Sequence, residues 1–191
     1  MTNIEAENKI FLDVVNEDDE TIDSKSRTDI HQLGLLHREV HVWMFTEDKN
    51  VIFQKRGLHR PSAGLLDATA GGHPNQGETY IDAAIRETKE ETGLMIVPND
   101  LILLKKLKKV SNPSDSVFLG TVNNFIRAVY IYKNPIDEKE LKKEVGIPGA
   151  GFKKLSYELL LNLPEEYLEL FDKFILTEEV PQVLKYLKEE K

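Results

Sequence analysis

Apolar residues along this chain fall into short alternating runs separated by turn residues, with one stretch at helical spacing. Residues 9–15 read as a strand and 16–20 as the turn after it. Residues 26–33 read as a short helix stopped by Gly34. Val40, Val42 and Met44 alternate with His41, Trp43 and Phe45, the period of a strand with both faces partly buried. Residues 46–50 turn the chain into a hairpin partner at 51–56. A loop with Gly57, Pro61 and Gly64 follows, then an apolar stretch, 65–70, running into Gly71 and Gly72. Residues 79–92 predict a helix with Thr79 as N-cap, Asp82 completing the capping box and Gly93 just past the end. Strands are predicted near 101–110 and 117–132, a short helix near 137–144, and helices near 156–163 and 165–176. Thr177 is expected to cap a last helix with Pro181 in its first turn. The elements mix without regular βαβ alternation, which predicts an α+β fold, a mixed sheet flanked by helices. One domain is expected over 9–191, with an N-terminal strand extension and C-terminal helices, and residues 1–8 as a disordered tail.

Composition narrows the chemistry. The 191 residues include no cysteine, so disulfides, thiolate metal sites and thiol catalysis are excluded together. Asp and Glu outnumber Lys and Arg 33 to 25, a formal charge of −8, which argues against a nucleic-acid partner or an anionic membrane surface. The lysine run at 105–109 lacks interleaved aromatics and reads as a solvated strand edge that discourages aggregation. No run is long and apolar enough to span a bilayer, and the polar, acidic start is unlike a signal peptide, so a cytoplasmic location is expected.

The informative segment begins at Gly72 and ends at Leu94. On the predicted helix, Glu87, Glu90 and Glu91 stand at i, i+3 and i+4, neighbours on the helix surface. Ile81, Ala84, Ile85 and Thr88 centre on one stripe, and the glutamates lie roughly 120° away, beside the apolar face. Like charges at that spacing cost about 0.2–0.5 kcal/mol per pair, and a divalent cation would reverse the sign. Hard oxygen ligands suit Mg²⁺ or Mn²⁺. Glutamates chosen only for helix propensity on a solvated face are the bland alternative. The full pattern outweighs it, because the segment resembles the Nudix box, Gly-x5-Glu-x7-Arg-Glu-U-x-Glu-Glu-x-Gly-U, where U is aliphatic. Gly72, Glu78, Arg86, Glu87, Glu90, Glu91 and Gly93 supply every fixed identity, and Leu94 one aliphatic position. Thr88 departs at the other.

The resemblance implies a Nudix fold, an α/β/α sandwich around a mixed sheet with a loop-helix-loop. It also implies metal-dependent hydrolysis of a diphosphate linked to another moiety, a small-molecule substrate. By position, Glu87, Glu90, Glu91 and the Gly71 carbonyl would ligate Mg²⁺ or Mn²⁺, with Glu91 or Glu87 as base. Glu78 and Arg86 would orient the carboxylates, and Gly72 and Gly93 would shape the loop and helix end. Arg56 and Lys55 lie where relatives grip phosphate, Arg60 is a candidate for the same role from the loop, His73 lines the loop before the helix, and Glu144 stands where members often place a further acid. Homodimers are common in the family.

Outside the box, residues 35–41 and 66–74 look like segments of type I isopentenyl-diphosphate isomerase, which shares the Nudix fold. That enzyme needs a cysteine where this chain has Gly71, and a Glu-x-Glu strand where this chain has Asn123-Asn124-Phe125. These departures, with the complete box, point to an isomerase-like hydrolase. A nucleotide-binding module without turnover is the other alternative. His31, His37 and His73 loosely match histidines that hold a second metal in the isomerase; without the Glu-x-Glu pair, sheet hydrogen bonding for His37 and loop lining for His73 are the simpler readings. His41 reads as a partly buried strand residue.

Overall fold

The computed structural model describes residues 9–58, 63–110, 122–142 and 148–189. The chain opens with β1 (Phe11–Val15), β2 (Thr21–Ser26) and α1 (Arg27–Leu33). Ser26 caps α1 by accepting the Asp29 N–H at 3.1 Å, and Gly34 ends it in the left-handed conformation at φ 63°. Next come β3 (His37–Phe45), β4 (Val51–Lys55), β5 (Leu66–Asp67), β6 (Ala70–Gly72) and α2 (Tyr80–Thr92). The remainder holds β7 (Leu101–Lys109), β8 (Phe125–Tyr132), β9 (Gly151–Leu155), α3 (Tyr157–Leu161) and α4 (Glu165–Leu168). A π-helical stretch, Ile175–Glu179, then runs into α5 (Val180–Glu189).

β3 is the hub of the mixed sheet. It runs parallel to β8 from His37↔Phe125 to Trp43↔Ile131, and antiparallel to β6 through Val40↔Gly72 and His41↔Gly71. Its far end pairs with β4, and its start touches β1. β2 borders β1, β7 borders β8, and β4 also pairs with β5 and β9. Alternation along β3 then decides what each face meets. Val40, Val42 and Met44 pack on Ala83 and Ala84 of α2. Trp43 and Phe45 face the other way, into a core with Phe53, Val129 and Phe171 that Val183, Leu184 and Leu187 of α5 close. The sheet is therefore sandwiched between α2 and the C-terminal helices, the α+β arrangement that the resemblance implies.

Three local expectations need correction. Two strands escape the hydrophobic pattern. β2 is mostly polar, because it lies outermost on the sheet, and β9 turns Lys153 and Lys154 outward while its backbone pairs with β4. The helix expected at 165–176 is broken: Glu165–Leu168 is a single turn, and residues 173–176 already belong to the last helix, while the one expected near 137–144 is, in its described part, a 3₁₀ turn at Glu138–Glu140 capped by Asp137. Thr177 caps nothing: it lies inside the π-helical stretch, where the Val180 N–H bonds the Ile175 carbonyl. Pro181 explains the wide turn, since a proline ring presses on the carbonyl four residues earlier, here that of Thr177.

Candidate active site

β6 and α2 build the first half of the site. The missing Cβ of Gly72 is what admits Glu87: a Cβ there would lie 2.2 Å from Glu87 Oε1. One residue earlier, the Gly71 N–H donates to Glu91 Oε2 at 3.0 Å. The third acid, Glu90, is exposed, with Oε2 at 3.3 Å from Arg86 Nη1. Arg86 ties the group together. It grips Glu78 through two bonds of 2.9 and 2.8 Å, donates to the His73 carbonyl at 2.9 Å and to Glu87 Oε1 at 2.7 Å. Glu78 also accepts the Asn75 N–H at 2.8 Å, which pins the loop before α2. Gly93 ends α2 at φ 73°.

Burial lifts the Glu87 carboxyl above its ordinary range, and the adjacent guanidinium of Arg86 only partly opposes this. Burial also pushes Glu78 upward, but the Arg86 and Asn75 hydrogen bonds outweigh it and hold that carboxyl low. One guanidinium thus serves two glutamates of the helix, Glu87 and Glu90, plus Glu78, while the Gly71 N–H holds Glu91, leaving a concentration of hard oxygen donors beside a backbone with no side chain. That donor set fits Mg²⁺ or Mn²⁺, which favour carboxylates, carbonyls and water.

The remaining candidates are dispersed. Lys55 ends β4, exposed. Arg56, the next residue, donates to Asp67 Oδ2 at 2.7 Å. Arg60 and Glu144 lie outside the described residues.

A second cluster brings together the three histidines that the isomerase resemblance groups. His31 from α1, His37 from β3 and His73 from the loop after β6 bring their ring nitrogens within 4.8 Å of one another. The His37 Nδ1–H donates to the Leu35 carbonyl at 3.0 Å, a tautomer that leaves Nε2 as a lone-pair donor. Among the described residues, neither His37 Nε2 nor His73 Nε2 has a hydrogen-bond partner, although Glu39 Oε1 stands 3.9 and 3.4 Å away. Burial drops His31 to about 4 and His73 to about 3, so both rings are neutral at pH 7, the form a metal requires. Glu39 is committed elsewhere. Asn123 donates to its Oε1 at 3.0 Å, and the buried Arg127 guanidinium donates to its Oε2 at 2.9 Å. Burial raises the Glu39 carboxyl, but the facing Arg127 charge wins and holds it well below the usual range.

From Arg127 the network continues under Gly71. Arg127 also reaches Glu179 Oε1 at 2.5 Å, and Glu179 Oε2 sits 2.8 Å from His41 Nδ1 and 3.1 Å from the Trp43 indole nitrogen. His41 Nε2 lies 3.7 Å from Asp67 Oδ1, which connects to Arg56. Glu39, Arg127, Asp67 and Glu179 were not singled out from sequence. A signal existed for the first: His37, Glu39 and His41 form a polar stripe on one face of a strand whose other face is apolar beyond Arg38. Glu179 stands 138 residues from His41, and no local pattern marks it.

Known proteins resemble this chain over part of its sequence. Among curated relatives, an uncharacterized Nudix hydrolase of Clostridium acetobutylicum is 32% identical over 129 residues, covering 65% of this chain and 59% of that protein. An isopentenyl-diphosphate Delta-isomerase of Serratia proteamaculans is 40% identical over 84 residues, covering 44% of this chain and 47% of that one. The chain thus spans about half to three-fifths of the length of these relatives. In three dimensions, a crystal structure of a Deinococcus radiodurans protein superposes with a TM-score of 0.59 at 22% identity, over 92% of this chain and 98% of that one, a likeness of fold. The family model described as NUDIX domain matches residues 35–145, more than half of the chain and all of the box, so this chain belongs to the Nudix family.

Proposed function

We propose that this protein hydrolyses a diphosphate linkage in a nucleoside diphosphate derivative or similar small molecule, using Mg²⁺ or Mn²⁺. The observation that carries this reading is the complete box folded around Gly71 and Gly72, with Glu91 on the Gly71 amide and Glu87 filling the space a Cβ would take. Glu87, Glu90, Glu91 and the Gly71 carbonyl would hold the cation. When bound, it would neutralise phosphate oxygens and lower the pKa of a water that attacks phosphorus. Glu91 or Glu87 then serves as base, with Glu144 a further acid in the same role. Arg86 keeps the carboxylates apart and aimed, because its fork is anchored on Glu78 and the His73 carbonyl. Arg56, Lys55, Arg60 and His73 supply positive charge or hydrogen bonds to the phosphates. Gly71, in the place where the isomerase needs a thiol, speaks against double-bond isomerisation.

The unpartnered Nε2 atoms of His37 and His73 favour a second cation on the three imidazoles, of a softer kind such as Zn²⁺ or Co²⁺.

The test is a panel of nucleoside diphosphate derivatives and other small diphosphates assayed with Mg²⁺ or Mn²⁺, reading release of phosphate or nucleotide. Glu91→Gln should lower turnover by at least about 100-fold, of the order seen when a charge-stabilising group is removed. Undiminished turnover in that variant refutes the glutamate assignment, and tight nucleotide binding without turnover across the panel would favour a binding module instead.

A further inference from the structure

We propose that Glu179, on the C-terminal helix and outside the stretch that the family model matches, is a positioning residue for the cation site, acting through His41 and Gly71. This rests on the reading of the box glutamates as a cation cradle.

Three contacts in series carry the inference. Glu179 is fully buried, and its Oε2 fixes the His41 ring through Nδ1 at 2.8 Å. The opposite edge of that ring presses on Gly71: a Cβ on Gly71 would lie 2.5 Å from His41 Cδ2 and 3.1 Å from Nε2. Gly71 is also paired with His41 across the β3–β6 ladder, and its N–H holds the Glu91 carboxylate at 3.0 Å. Strand β6 is only three residues long, so its backbone takes its seat from what lies beneath it. On one side Gly72 faces Glu87, and on the other Gly71 faces His41. The ring of His41 is therefore the floor of the strand that carries the proposed ligand carbonyl, and Glu179 sets the angle of the floor.

A second observation concerns the helix itself. Glu179 closes the π-helical stretch Ile175–Glu179, a wide turn that is uncommon and frequent at functional sites. The turn delivers a carboxylate to the sheet face where Arg127 and the Trp43 indole N–H also meet it. Burying a carboxylate is unfavourable unless every partner is in place, and here three donors converge on its two oxygens. A wholly structural anchor for the C-terminal helix would be served as well by apolar packing, of which Val183, Leu184 and Leu187 already supply a full row.

Trp43 is the only tryptophan of the chain, so its emission reports on this carboxylate. The experiment measures Mn²⁺ binding by electron paramagnetic resonance of the free ion, and Trp43 emission during a Mg²⁺ titration. The proteins are the full chain and its Glu179→Gln, His41→Asn, doubly substituted and Glu91→Gln forms. His41→Asn keeps a donor for Glu179 while removing the ring edge that supports Gly71. The component of Mn²⁺ binding lost in Glu91→Gln defines the box site. We expect that component to weaken about 5- to 10-fold in each of the two network variants. The double variant should bind no more weakly than the weaker-binding single variant, because both act along one path. Mg²⁺ should change Trp43 emission in the parent chain and leave it unchanged in Glu91→Gln.

If Glu91→Gln binds Mn²⁺ as the parent does, the cation-cradle reading itself fails. If Glu91→Gln loses the site but Glu179→Gln and His41→Asn bind within twofold of the parent, only the positioning role is overturned. Should Glu179→Gln not fold, His41→Asn decides the matter by the same twofold criterion. Should neither fold, a parent chain whose Trp43 emission is unmoved at saturating Mg²⁺ overturns the proposal.

Discussion

Replacing Gly72 by alanine separates the cation cradle from the fold. A Cβ at this position would stand 2.2 Å from Glu87 Oε1, 2.3 Å from its Cδ and 2.7 Å from its Oε2. Ordinary contact needs about 3.5 Å, so the carboxylate must retreat by about 1 Å. The retreat is cheap for the fold, because the clash is with the tip of a flexible side chain. Gly72 also has no left-handed backbone to lose, and alanine restrains the unfolded chain, a gain of about 0.4–1 kcal/mol. Stability should therefore change by less than about 1 kcal/mol. Activity should not survive so well, since a misplacement of about 1 Å in a positioned group can cost about 100-fold. Two neighbours serve as controls. Gly71→Ala meets the His41 ring at 2.5 Å and the Val40 carbonyl at 2.9 Å, neither of which can swing away, so it should lose about 1–3 kcal/mol of stability. Gly77→Ala has open space around its Cβ and only a left-handed backbone at φ 75° to oppose it. It should cost about 1 kcal/mol and keep full turnover. The assay is kcat with Mg²⁺ on whichever diphosphate the panel identifies, beside the urea midpoint of each variant. Turnover within threefold of the parent in a folded Gly72→Ala would refute the placement of Glu87 in the cradle.

Arg86→Lys should lower kcat about 10- to 100-fold, because an ammonium cannot reproduce the two-pronged grip on Glu78 while reaching the His73 carbonyl; equal kcat in the lysine variant would remove Arg86 from the aiming role. The chelator-treated protein should lose stability on acidification. His31 at about 4 and His73 at about 3 stay neutral in the fold, while the unfolded chain takes up protons near the ordinary 6.5. The unfolded state therefore binds more protons below that value, so stability is intact above pH 7 and falls as pH drops through 6 toward 4. At pH 5 the loss is about 2 kcal/mol per histidine, read as a lower urea midpoint than at pH 8. Co²⁺ should restore part of it and produce visible absorption bands if the three imidazoles bind the ion; an unchanged midpoint at pH 5 would contradict their neutral burial.

The amino-acid sequence determined the local chemistry of this protein. Thr79, Asp82 and Gly93 bound α2 because caps and left-handed stops are short-range effects, and the box spacing places Glu87 and Glu91 one turn apart on that helix. Alternation in β3 marked a strand buried on both faces. Where pairing rather than side-chain pattern makes the strand, the sequence was silent: β2 is largely polar and β9 carries two adjacent exposed lysines, and both are recruited by the backbone of β1 and β4. Only the tertiary structure decided which residues share the site. It put the three histidines that the isomerase resemblance only loosely grouped within one cluster, from α1, β3 and the loop after β6, and it laid Glu179, 138 residues beyond His41, beneath the strand of the box. The reason is the reach of the forces involved. Capping and helical spacing act within a turn or two, whereas a buried ion pair forms wherever folding removes water from opposite charges, whatever their distance along the chain.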